Sequence, residues 1–458
     1  MLRSLVGSEM CIRDSMQTNH EQQHTSPREA YDIVRRSFHD PSVPSAVTSA
    51  LLDEFRNEYP DGCLWLKLKA KHLLYRSLHP GRFKKAPEPT VNGDILSTHS
   101  PGNPKDVLLV SHEMSLTGAP RALLTLAVEL KAIGYNPVIF ALKNGPLTDE
   151  AQKAGITVVA DRQTWLSGLA FNRRDKRMEA FFNSFGTILV NTLDAVKQCR
   201  WLHLSGSRLI AWIHEAERTY EILGIDNLDS FLKPYNEIYV VGEWARNHAA
   251  KRMQHPERLC TLLYGIDATE FRADAPTSDA GKLHILMAGA IDKRKGHHIL
   301  LKALQLLDSS IKGQIKIHIV GPVINNSLAG ELKKQGNVIE FHGALPHDRL
   351  MQMLGGSDAL LCPSLDDPMP IVCTEAFQLC KPVIVSDHTG TAAYIRNCEN
   401  GFLVKGGDAQ SLADGIKELL DSRMRLPEIG KRSHSIYREY FSPEVFRKNI
   451  VRIFPSIS

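Results

Sequence analysis

Short apolar runs of strand length alternate with helical segments twice along this chain, and this alternation narrows the folds that it can adopt. The first set of predicted strands comprises residues 107–110, 138–142, 156–160, 188–191, 209–213 and 238–241. The second set comprises residues 283–288, 315–320, 338–341, 359–362 and 383–386. Such alternation favours parallel sheets with helices on both faces. We therefore predict an α/β protein with two doubly wound domains, residues 105–265 and 283–440, joined by a linker at 266–282.

The segments at both ends fall outside these two domains. Residues 1–15 resemble a translated sequencing-adapter sequence, an artefact, and we expect the native chain to start at Met16. Residues 16–104 are expected to form a helical extension and a linker, because helix-like patches precede a stretch rich in proline and glycine. Residues 441–458 are expected to form a helix that can cross back to the first domain.

Residues 64–85 of the extension carry a basic amphipathic pattern. Leu64, Leu68, Tyr75 and Leu78 fall roughly on one helical face, and the basic residues lie elsewhere. A helix of this kind can lie on an anionic membrane surface, which would place the protein at the inner face of the membrane. The alternative is a helix that packs on the main body and keeps its lysines in water.

The composition narrows the class of protein. The chain has 458 residues, of which 43% are hydrophobic and 23% are charged, as in an ordinary soluble globular protein. Its net charge of +4 is small for this length and does not indicate nucleic-acid binding. Eight cysteines without a C-x-x-C pair are typical of reduced thiols in a cytoplasmic protein, not of disulfides or a zinc site. No apolar run reaches the roughly 18 residues that span a bilayer.

Three loops that follow predicted strands have sequences suited to ligands, at the sheet edge where such folds bind them. The loop at residues 111–121 contains Gly118 and can present backbone N–H groups to an anion, or it can be an ordinary turn capped by Thr117. His214 follows the fifth predicted strand and would point into a cleft, although a lone histidine is more often structural. The basic residues 293–295 can neutralise a phosphate, or they can form a solvated charge run.

The segment from residue 359 to residue 386 carries the most informative loop. Two apolar runs enclose a loop with Asp366 and Asp367 and a predicted helix that contains Glu375. Two prolines keep this loop out of the helix. Paired acids can indicate glycoside hydrolysis. Here the basic loop and the helix start can instead hold a diphosphate, while the acids accept hydrogen bonds from sugar or ribose hydroxyls.

Several motifs occur together from about residue 106 onward. Asp367 and Glu375 are separated by seven residues and are flanked by Cys-Pro-Ser and by Lys-Pro-Val-Ile, at residues 362–364 and 381–384. Further motifs stand at residues 212–215, 289–296, 357–358 and 401–404. This set resembles the E-x7-E region and the neighbouring motifs of glycosyltransferase family 4, the glycosyl transferases group 1, a large family of retaining enzymes.

The resemblance implies a GT-B fold, in which two Rossmann-like domains face each other across a cleft and the second holds most of a nucleotide-sugar donor. It implies catalytic roles for Asp367, His214 and Lys295. Asp367 replaces the family glutamate that contacts the transferred sugar, His214 lies close to that sugar, and Lys295 binds the diphosphate. Glu375 would bind the ribose hydroxyls, and Gly118 lies in the loop that approaches the donor phosphates and the acceptor.

Three positions depart from the family pattern. Aspartate at position 367 shortens the first acid by one methylene group. Ala290 stands where many members have an arginine for the diphosphate, a role that Arg294 can take over. Pro370 stands where many members have glycine and removes one amide donor from the loop. The remaining substrate-binding N–H groups in this loop are those of Met369, Ile371 and Val372.

The sequence therefore predicts a retaining glycosyltransferase of polysaccharide biosynthesis. It would move a sugar from a nucleoside diphosphate (NDP) sugar to a hydroxyl of a glycan, a lipid-linked acceptor or a small molecule. No cofactor and no metal are expected, because side-chain cations face the diphosphate and no Asp-x-Asp motif stands out. Two alternatives share the fold: a non-catalytic GT-B binding subunit, which Ala290 and Pro370 favour, and a nucleotide-sugar epimerase, which needs no acceptor.

Overall fold

A computed structural model describes residues 103–160, 176–200, 204, 206–266 and 281–455, which belong to one compact unit. The predictions for residues 1–15 and for the basic segment 64–85 lie outside the described residues. The same holds for nearly all of the extension 16–104 and for most of the linker 266–282. Among the described helices, none has the length and apolar character needed to cross a bilayer.

Seven parallel strands form the first sheet in the order β3-β2-β1-β4-β5-β6-β7. They are β1 (Asp106–Ser111), β2 (Asn136–Ala141), β3 (Thr157–Ala160), β4 (Thr187–Asn191), β5 (Arg208–Ile213), β6 (Glu237–Val240) and β7 (Leu259–Thr261). The central strand β1 is buried along its whole length, because helices cover both faces of a parallel sheet. The strand order reverses beside β1, and folds of this type bind ligands at such a switch point.

The helices of the first domain lie between these strands along the chain. They are α1 (Gly118–Ala132), α2 (Leu147–Lys153), α3 (Lys176–Asn183), α4 (Leu193–Cys199), α5 (Glu217–Leu223), α6 (Leu228–Phe231) and α7 (Glu243–Ala250). Helix α4 begins after Thr192, whose side chain accepts a hydrogen bond from the Ala195 N–H at 3.3 Å. This cap satisfies one of the free N–H groups of the first turn.

Six parallel strands form the second sheet in the order β10-β9-β8-β11-β12-β13. They are β8 (Leu283–Ala288), β9 (Ile315–Val320), β10 (Ile339–Gly343), β11 (Ala359–Cys362), β12 (Val383–Ser386) and β13 (Phe402–Val404). Their helices are α8 (His297–Leu306), α9 (Ser309–Gly313), α10 (Asn326–Lys333), α11 (His347–Gly356), α12 (Ile371–Gln378), α13 (Ala409–Asp421) and α14 (Leu426–Ile436). The core on one face joins β8 and β9 to α8 and α13.

The chain returns to the first domain at its end. A π-helical turn (Tyr437–Phe441) leads from α14 into α15 (Pro443–Ile453). Arg447 of α15 forms an ion pair with Glu129 of α1 at 2.6 Å. The ring of Phe446 stacks on Trp212 of β5 with centroids 6.4 Å apart. Helix α15 therefore covers apolar surface of the first sheet although it follows the second.

The α/β class with two parallel, doubly wound sheets is confirmed. Strands β1 and β8 each lie inside their sheet. Two short edge strands, β7 and β13, have no counterpart among the predicted strands. The loops at the carboxyl ends of both sheets meet, and the site residues predicted from the sequence lie on these loops or on the helices that follow them.

Candidate functional site

The loop between β11 and α12 carries an acid that two cations hold in place. Lys295 Nζ lies 2.5 Å from Asp367 Oδ2, and Arg294 Nη1 lies 3.8 Å from the same oxygen. Both cations come from the loop between β8 and α8. Asp367 is only 7% exposed, so these contacts compensate for the loss of water around its charge.

Two glycines allow the basic loop to come this close. Gly289 has φ of +141°, and a Cβ atom there would lie 3.3 Å from Cε of Lys295. Gly296 has φ of +81°, and a Cβ atom there would lie 2.0 Å from the carbonyl oxygen of Pro363. Glycine is the residue that tolerates both the backbone conformation and the close approach. The local sequence therefore fixes Lys295 against the loop that follows β11.

Lys295 keeps its charge in this surrounding. Burial by itself would lower the pKa of the ammonium group, but the attraction and hydrogen bond to Asp367, together with a smaller contribution from Cys362, raise the pKa above its ordinary value. A lysine ammonium has three donors, so one group can hold a carboxylate and a phosphate oxygen at once. The cluster of Lys295, Arg294 and Asp367 can thus bind an anion and a neighbouring hydroxyl.

Glu375 lies inside α12 and has a partner that the sequence did not indicate. Its side chain is 6% exposed, and His347 Nε2 donates a hydrogen bond to its Oε1 at 2.7 Å. His347 is the first residue of α11, 28 positions earlier in the chain. A carboxylate held in this way can accept further hydrogen bonds, for which the two hydroxyls of a ribose are suited.

The start of α12 meets the first domain. Ile371 and Val372 are the first two residues of α12, and both are half-buried. A Cβ atom on Gly118, the first residue of α1, would lie 3.6 Å from Cδ1 of Ile371. The carbonyl oxygen of Met369 accepts a hydrogen bond from the Tyr264 hydroxyl at 3.1 Å. These contacts hold the amides predicted to bind the substrate at the boundary between the domains.

His214 follows β5 in the first domain. Its Nε2 is out of contact with solvent and has no hydrogen-bond partner among the described residues. Its ring meets Trp212 edge to face, with centroids 4.5 Å apart. Burial, with a smaller contribution from the nearby His112, lowers the pKa of the imidazole to about 3. His214 is therefore neutral at physiological pH and can exchange a hydrogen bond with a ligand.

Glu215 fixes the loop that carries His214. Its carboxylate accepts hydrogen bonds from the backbone N–H of Leu193 at 3.0 Å and of His214 at 2.8 Å. Burial raises the pKa of Glu215 to about 8, although these two N–H groups favour the charged form. The residue thus joins the end of β5 to the start of α4, a supporting role that no sequence motif indicated.

Asp366 joins the two domains. Its Oδ1 accepts a hydrogen bond from Nε1 of Trp244 at 2.9 Å, and its Oδ2 accepts one from the backbone N–H of Arg218 at 3.2 Å. Arg294 Nη1 donates to the carbonyl oxygen of Asp366 at 3.0 Å. Sequence reasoning grouped this acid with Asp367 as an acceptor for sugar or ribose hydroxyls and did not predict that it joins the domains. The presence of two adjacent acids in one loop was the available signal.

The predicted site residues thus fall into three groups. Lys295, Arg294 and Asp367 form one cluster at the carboxyl end of the second sheet. Glu375 lies on the helix that Ile371 and Val372 begin, and this helix start meets Gly118; Met369 lies in the loop before it. Among the described residues, His214 forms no hydrogen bond with the side chain of another predicted site residue; it lies on the first domain.

Two family models match this chain in sequence. The model described as glycosyl transferases group 1 matches residues 269–436, which contain most of the second domain. The model described as glycosyl-transferase family 4 matches residues 103–231, which contain most of the first domain. The boundary between the two matches falls between β5 and β8. Both matches agree with the family resemblance drawn from the motifs.

Curated relatives match the chain over part of their length. The WcaL protein of Escherichia coli (strain K12), named as a colanic acid biosynthesis glycosyltransferase, is 23% identical over 44% of this chain and 52% of its own length. The D-inositol 3-phosphate glycosyltransferase of Rhodococcus erythropolis (strain PR4 / NBRC 100887) is 27% identical over 39% of this chain and 44% of its own length. The match thus spans about half the length of these relatives.

Solved structures share the whole two-domain arrangement. Anabaena Alr3699/HepE in complex with UDP-glucose has a TM-score of 0.65 at 17% identity and covers 77% of this chain and 100% of its own. The sucrose-phosphate synthase of Thermosynechococcus elongatus has a TM-score of 0.59 at 16% identity and covers 76% of this chain and 98% of its own. At this identity the likeness concerns the fold, and it confirms the predicted GT-B architecture.

Proposed function

Because the chain belongs to the group 1 glycosyl transferases of family 4, we propose that it moves a sugar from an NDP-sugar to an acceptor hydroxyl and retains the anomeric configuration. The observation that carries this proposal is the contact of 2.5 Å between Lys295 Nζ and Asp367 Oδ2 beside the start of α12. It joins a cation suited to a diphosphate to an acid suited to a sugar hydroxyl. The Anabaena protein is solved with UDP-glucose, which supports a nucleotide-sugar donor.

The donor would lie along the carboxyl end of the second sheet. Lys295 and Arg294 would bind its diphosphate, aided by the N–H groups of Ile371 and Val372. Glu375 would accept hydrogen bonds from the ribose hydroxyls. Asp367 would accept one from the transferred sugar while Lys295 holds it in place.

The barrier of the reaction lies mainly in charge separation as the bond between the sugar and the phosphate breaks. The cations and helix amides lie where the negative charge develops, so they stabilise the transition state more than the bound donor. The acceptor oxygen forms the new bond to the anomeric carbon as the phosphate oxygen leaves, and the acceptor proton goes to that phosphate oxygen. Closure over the site would exclude water and suppress hydrolysis of the donor.

The proposal needs no metal ion, because Lys295 and Arg294 supply the positive charge. Their distances from Asp367 Oδ2, 2.5 Å and 3.8 Å, place both at one point of the cleft. Enzyme treated with a strong chelator should therefore keep its transfer rate. A rate that is lost on chelation and restored by added Mg²⁺ or Mn²⁺ would show that the side-chain cations are insufficient.

The acceptor would be a hydroxyl of a glycan, a lipid-linked sugar or a small molecule. The name of the Escherichia coli relative refers to colanic acid biosynthesis, which supports a role in polysaccharide biosynthesis. The Rhodococcus relative is named for D-inositol 3-phosphate, which supports a small molecule as the acceptor. A panel of acceptors from each class, tested with one accepted donor, discriminates among them.

The protein would act in the cytoplasm, at the inner face of the membrane. The support is the basic amphipathic pattern of residues 64–85 in the sequence. The full chain should sediment with vesicles of phosphatidylglycerol and not with phosphatidylcholine. A variant with Lys67, Lys69 and Lys71 changed to glutamine should lose this binding. Equal sedimentation of both proteins would favour the alternative, a helix that packs on the main body.

The decisive experiment is a screen of NDP-sugars with and without acceptors. We expect one donor to raise the thermal unfolding midpoint and to be consumed faster when an acceptor is present. NMR of the product should show the anomeric configuration of the donor, and Asp367→Asn serves as the matched inactive control. Conversion without an acceptor would identify an epimerase, and binding without turnover on any acceptor would identify a non-catalytic subunit.

A further inference from the structure

Three histidines from neighbouring strands of the second sheet form a chain of contacts that includes no residue assigned to the donor. His284 lies on β8, His318 on β9 and His342 on β10. The Nδ1 of His284 is 3.0 Å from Nε2 of His318, and Nδ1 of His318 is 3.0 Å from Nε2 of His342. Adjacent ring centroids are 5.3 Å apart. Three imidazole rings side by side are unusual on the face of a sheet, where apolar side chains normally pack.

A carboxylate joins two of these rings. Glu340 of β10 places Oε2 3.8 Å from Nδ1 of His318 and Oε1 3.7 Å from Nε2 of His342. In a tetrahedral zinc site with bonds of about 2.0–2.2 Å, ligand atoms lie about 3.3 Å from one another. The two imidazole nitrogens are 3.0 Å apart, and each lies within about 0.5 Å of that value from a different oxygen of Glu340, at 3.8 and 3.7 Å. One ligand atom from each residue lies within 4.8 Å of the other two. Small rotations of the side chains would bring all three donors onto one ion.

We propose that His318, Glu340 and His342 form a binding site for a divalent transition-metal ion of the zinc type. Two imidazole nitrogens and one carboxylate oxygen match the ligand preference of such ions, whereas magnesium and calcium prefer oxygen ligands alone. Glu340 is exposed and His342 is half-buried, so the ion can enter from solvent and a water molecule can complete its shell. The motifs in the sequence give no sign of this site, because its ligands follow no metal-binding spacing.

His284 would act as the supporting partner of this site. When Nε2 of His318 donates its proton to Nδ1 of His284, the lone pair of Nδ1 of His318 faces the other two donors. His284 is itself 5% exposed, and its backbone N–H donates to Oδ2 of Asp358 at 2.7 Å. A histidine ligand whose second nitrogen is held by a buried partner is the usual arrangement in built metal sites.

The strand register explains why these side chains converge. Glu340 pairs directly with His318 across the parallel strands β9 and β10. The pairing shifts between Phe341 and Gly343, which makes His342 the extra residue of a bulge. Bulges redirect side chains and are common at sheet edges, and β10 is an edge strand. A bound ion would therefore tie the edge strand β10 to its neighbour β9.

The test uses the full chain without a polyhistidine tag, titrated with Zn²⁺ against a chromophoric chelator. We expect a site for one ion per chain that raises the thermal unfolding midpoint. Glu340→Gln and His342→Gln should each weaken Zn²⁺ binding at least tenfold and remove the rise in the midpoint. Because Glu340 is exposed, Glu340→Gln keeps the fold intact. Unchanged affinity in both variants overturns the proposal.

Two controls separate this site from other histidines and thiols. His255 also meets a glutamate, with Nδ1 3.1 Å from Oε1 of Glu257, and both side chains are exposed. If Zn²⁺ binds at the proposed site, the variant His255→Gln should keep the Zn²⁺ affinity of the wild type. A loss of affinity in His255→Gln as large as that in Glu340→Gln would contradict the proposal. Co²⁺ bound in place of Zn²⁺ shows the type of its ligands in its absorption spectrum. Visible bands without a thiolate charge-transfer band support nitrogen and oxygen ligands. A thiolate charge-transfer band overturns the assignment.

Substitution of His284 tests the supporting partner. His284→Ala should weaken Zn²⁺ binding about tenfold, the lower end of losses for such partners. His284→Gln, whose carbonyl can still accept the proton of His318, should recover most of the affinity. The unfolding midpoint without Zn²⁺ should be the same in both variants as in the wild type, which excludes a general loss of structure. An equal loss of Zn²⁺ affinity in both variants, or wild-type affinity in His284→Ala, would remove His284 from the supporting role.

Discussion

Lys295 Nζ lies 2.5 Å from Asp367 Oδ2, so the cation assigned to the diphosphate also supports the acid assigned to the sugar. The two proposed roles are therefore coupled through one ion pair. Asp367 is nearly buried, and the guanidinium of Arg294 is more distant at 3.8 Å. A change at either partner alters the charge balance of the whole cluster, and experiments on these residues need to separate stability from turnover.

Lys295→Ala should lower both stability and turnover. Removing one partner of a buried ion pair leaves the other charge poorly compensated, and we expect a loss of about 3–5 kcal/mol in the free energy of unfolding. The double variant Lys295→Met, Asp367→Asn removes both charges and should recover most of that stability without recovering turnover. Urea denaturation and donor consumption measure the two effects. A single variant with the stability and rate of the wild type would remove Lys295 from the proposed mechanism.

Glu375→Gln should weaken donor binding. Hydrogen bonds to a charged acceptor contribute about 1.5–3 kcal/mol, so we expect the dissociation constant of the accepted NDP-sugar to rise roughly 10- to 150-fold. Calorimetric titration measures it. The exposed Glu418 on α13 of the same domain provides a matched control, and Glu418→Gln should bind normally. Equal affinities in both variants would rule out Glu375 as the acceptor for the ribose hydroxyls.

The contact between Asp366 and Trp244 should stabilise the closed arrangement of the domains. Trp244→Phe removes the donor of the 2.9 Å hydrogen bond and keeps an aromatic ring in place. Loss of one such bond, about 1 kcal/mol, would shift an equilibrium between closed and open forms about fivefold. We expect faster donor hydrolysis relative to transfer and a larger radius of gyration in solution scattering. A double-mutant cycle with Asp366→Ala tests the pair, and purely additive effects would show no coupling.

Stability should fall with acid because of His297 at the start of α8. Burial lowers the pKa of this fully buried imidazole to about 4. The pKa of a histidine in the unfolded chain is near 6.5, so below that pH the unfolded chain binds a proton that the folded chain does not bind. The stabilising contribution is complete above pH 6.5 and is lost as the pH falls towards 4, by at most about 1.4 kcal/mol per pH unit.

His297→Phe should therefore lose less stability on acidification than the wild type. Between pH 7 and pH 5 the difference should be about 2 kcal/mol, measured by urea denaturation at both values. His255→Phe, at an exposed position, should follow the wild type. The same acid dependence in His297→Phe and the wild type would show that this imidazole takes up its proton in the folded state.

The strands were predictable because each reads as an apolar run in a sheet that is covered on both faces. The run at residues 283–288 coincides with β8, and that at 383–386 coincides with β12. Strands β7 and β13 were missed because each has only three residues. They also contain the exposed Cys260 and Leu403, so they leave no continuous apolar signal.

The site residues were predictable only where their position in the sequence, directly after a predicted strand, indicates where they lie in the fold. Lys295 and Asp367 each follow a strand, and parallel strands place such loops at one edge of the sheet. The partners His347 and Trp244 could not be predicted, because 28 and 122 residues separate them from Glu375 and Asp366. The proposed metal ligands depend on the register of β9 and β10 and on a bulge, neither of which a single sequence specifies.

The return of α15 to the first domain has a consequence for synthesis on the ribosome. Trp212 leaves the ribosome long before Phe446, whose ring stacks on it at 6.4 Å. At 5–20 residues per second, the interval between the end of β7 and the end of α15 lasts roughly 10–40 s. Throughout this time the first domain lacks α15, the helix that packs on it but follows the second domain along the chain. A nascent chain of this protein therefore presents an apolar surface on its first domain until α15 has been synthesised, and chaperones can bind the chain in that unfinished form.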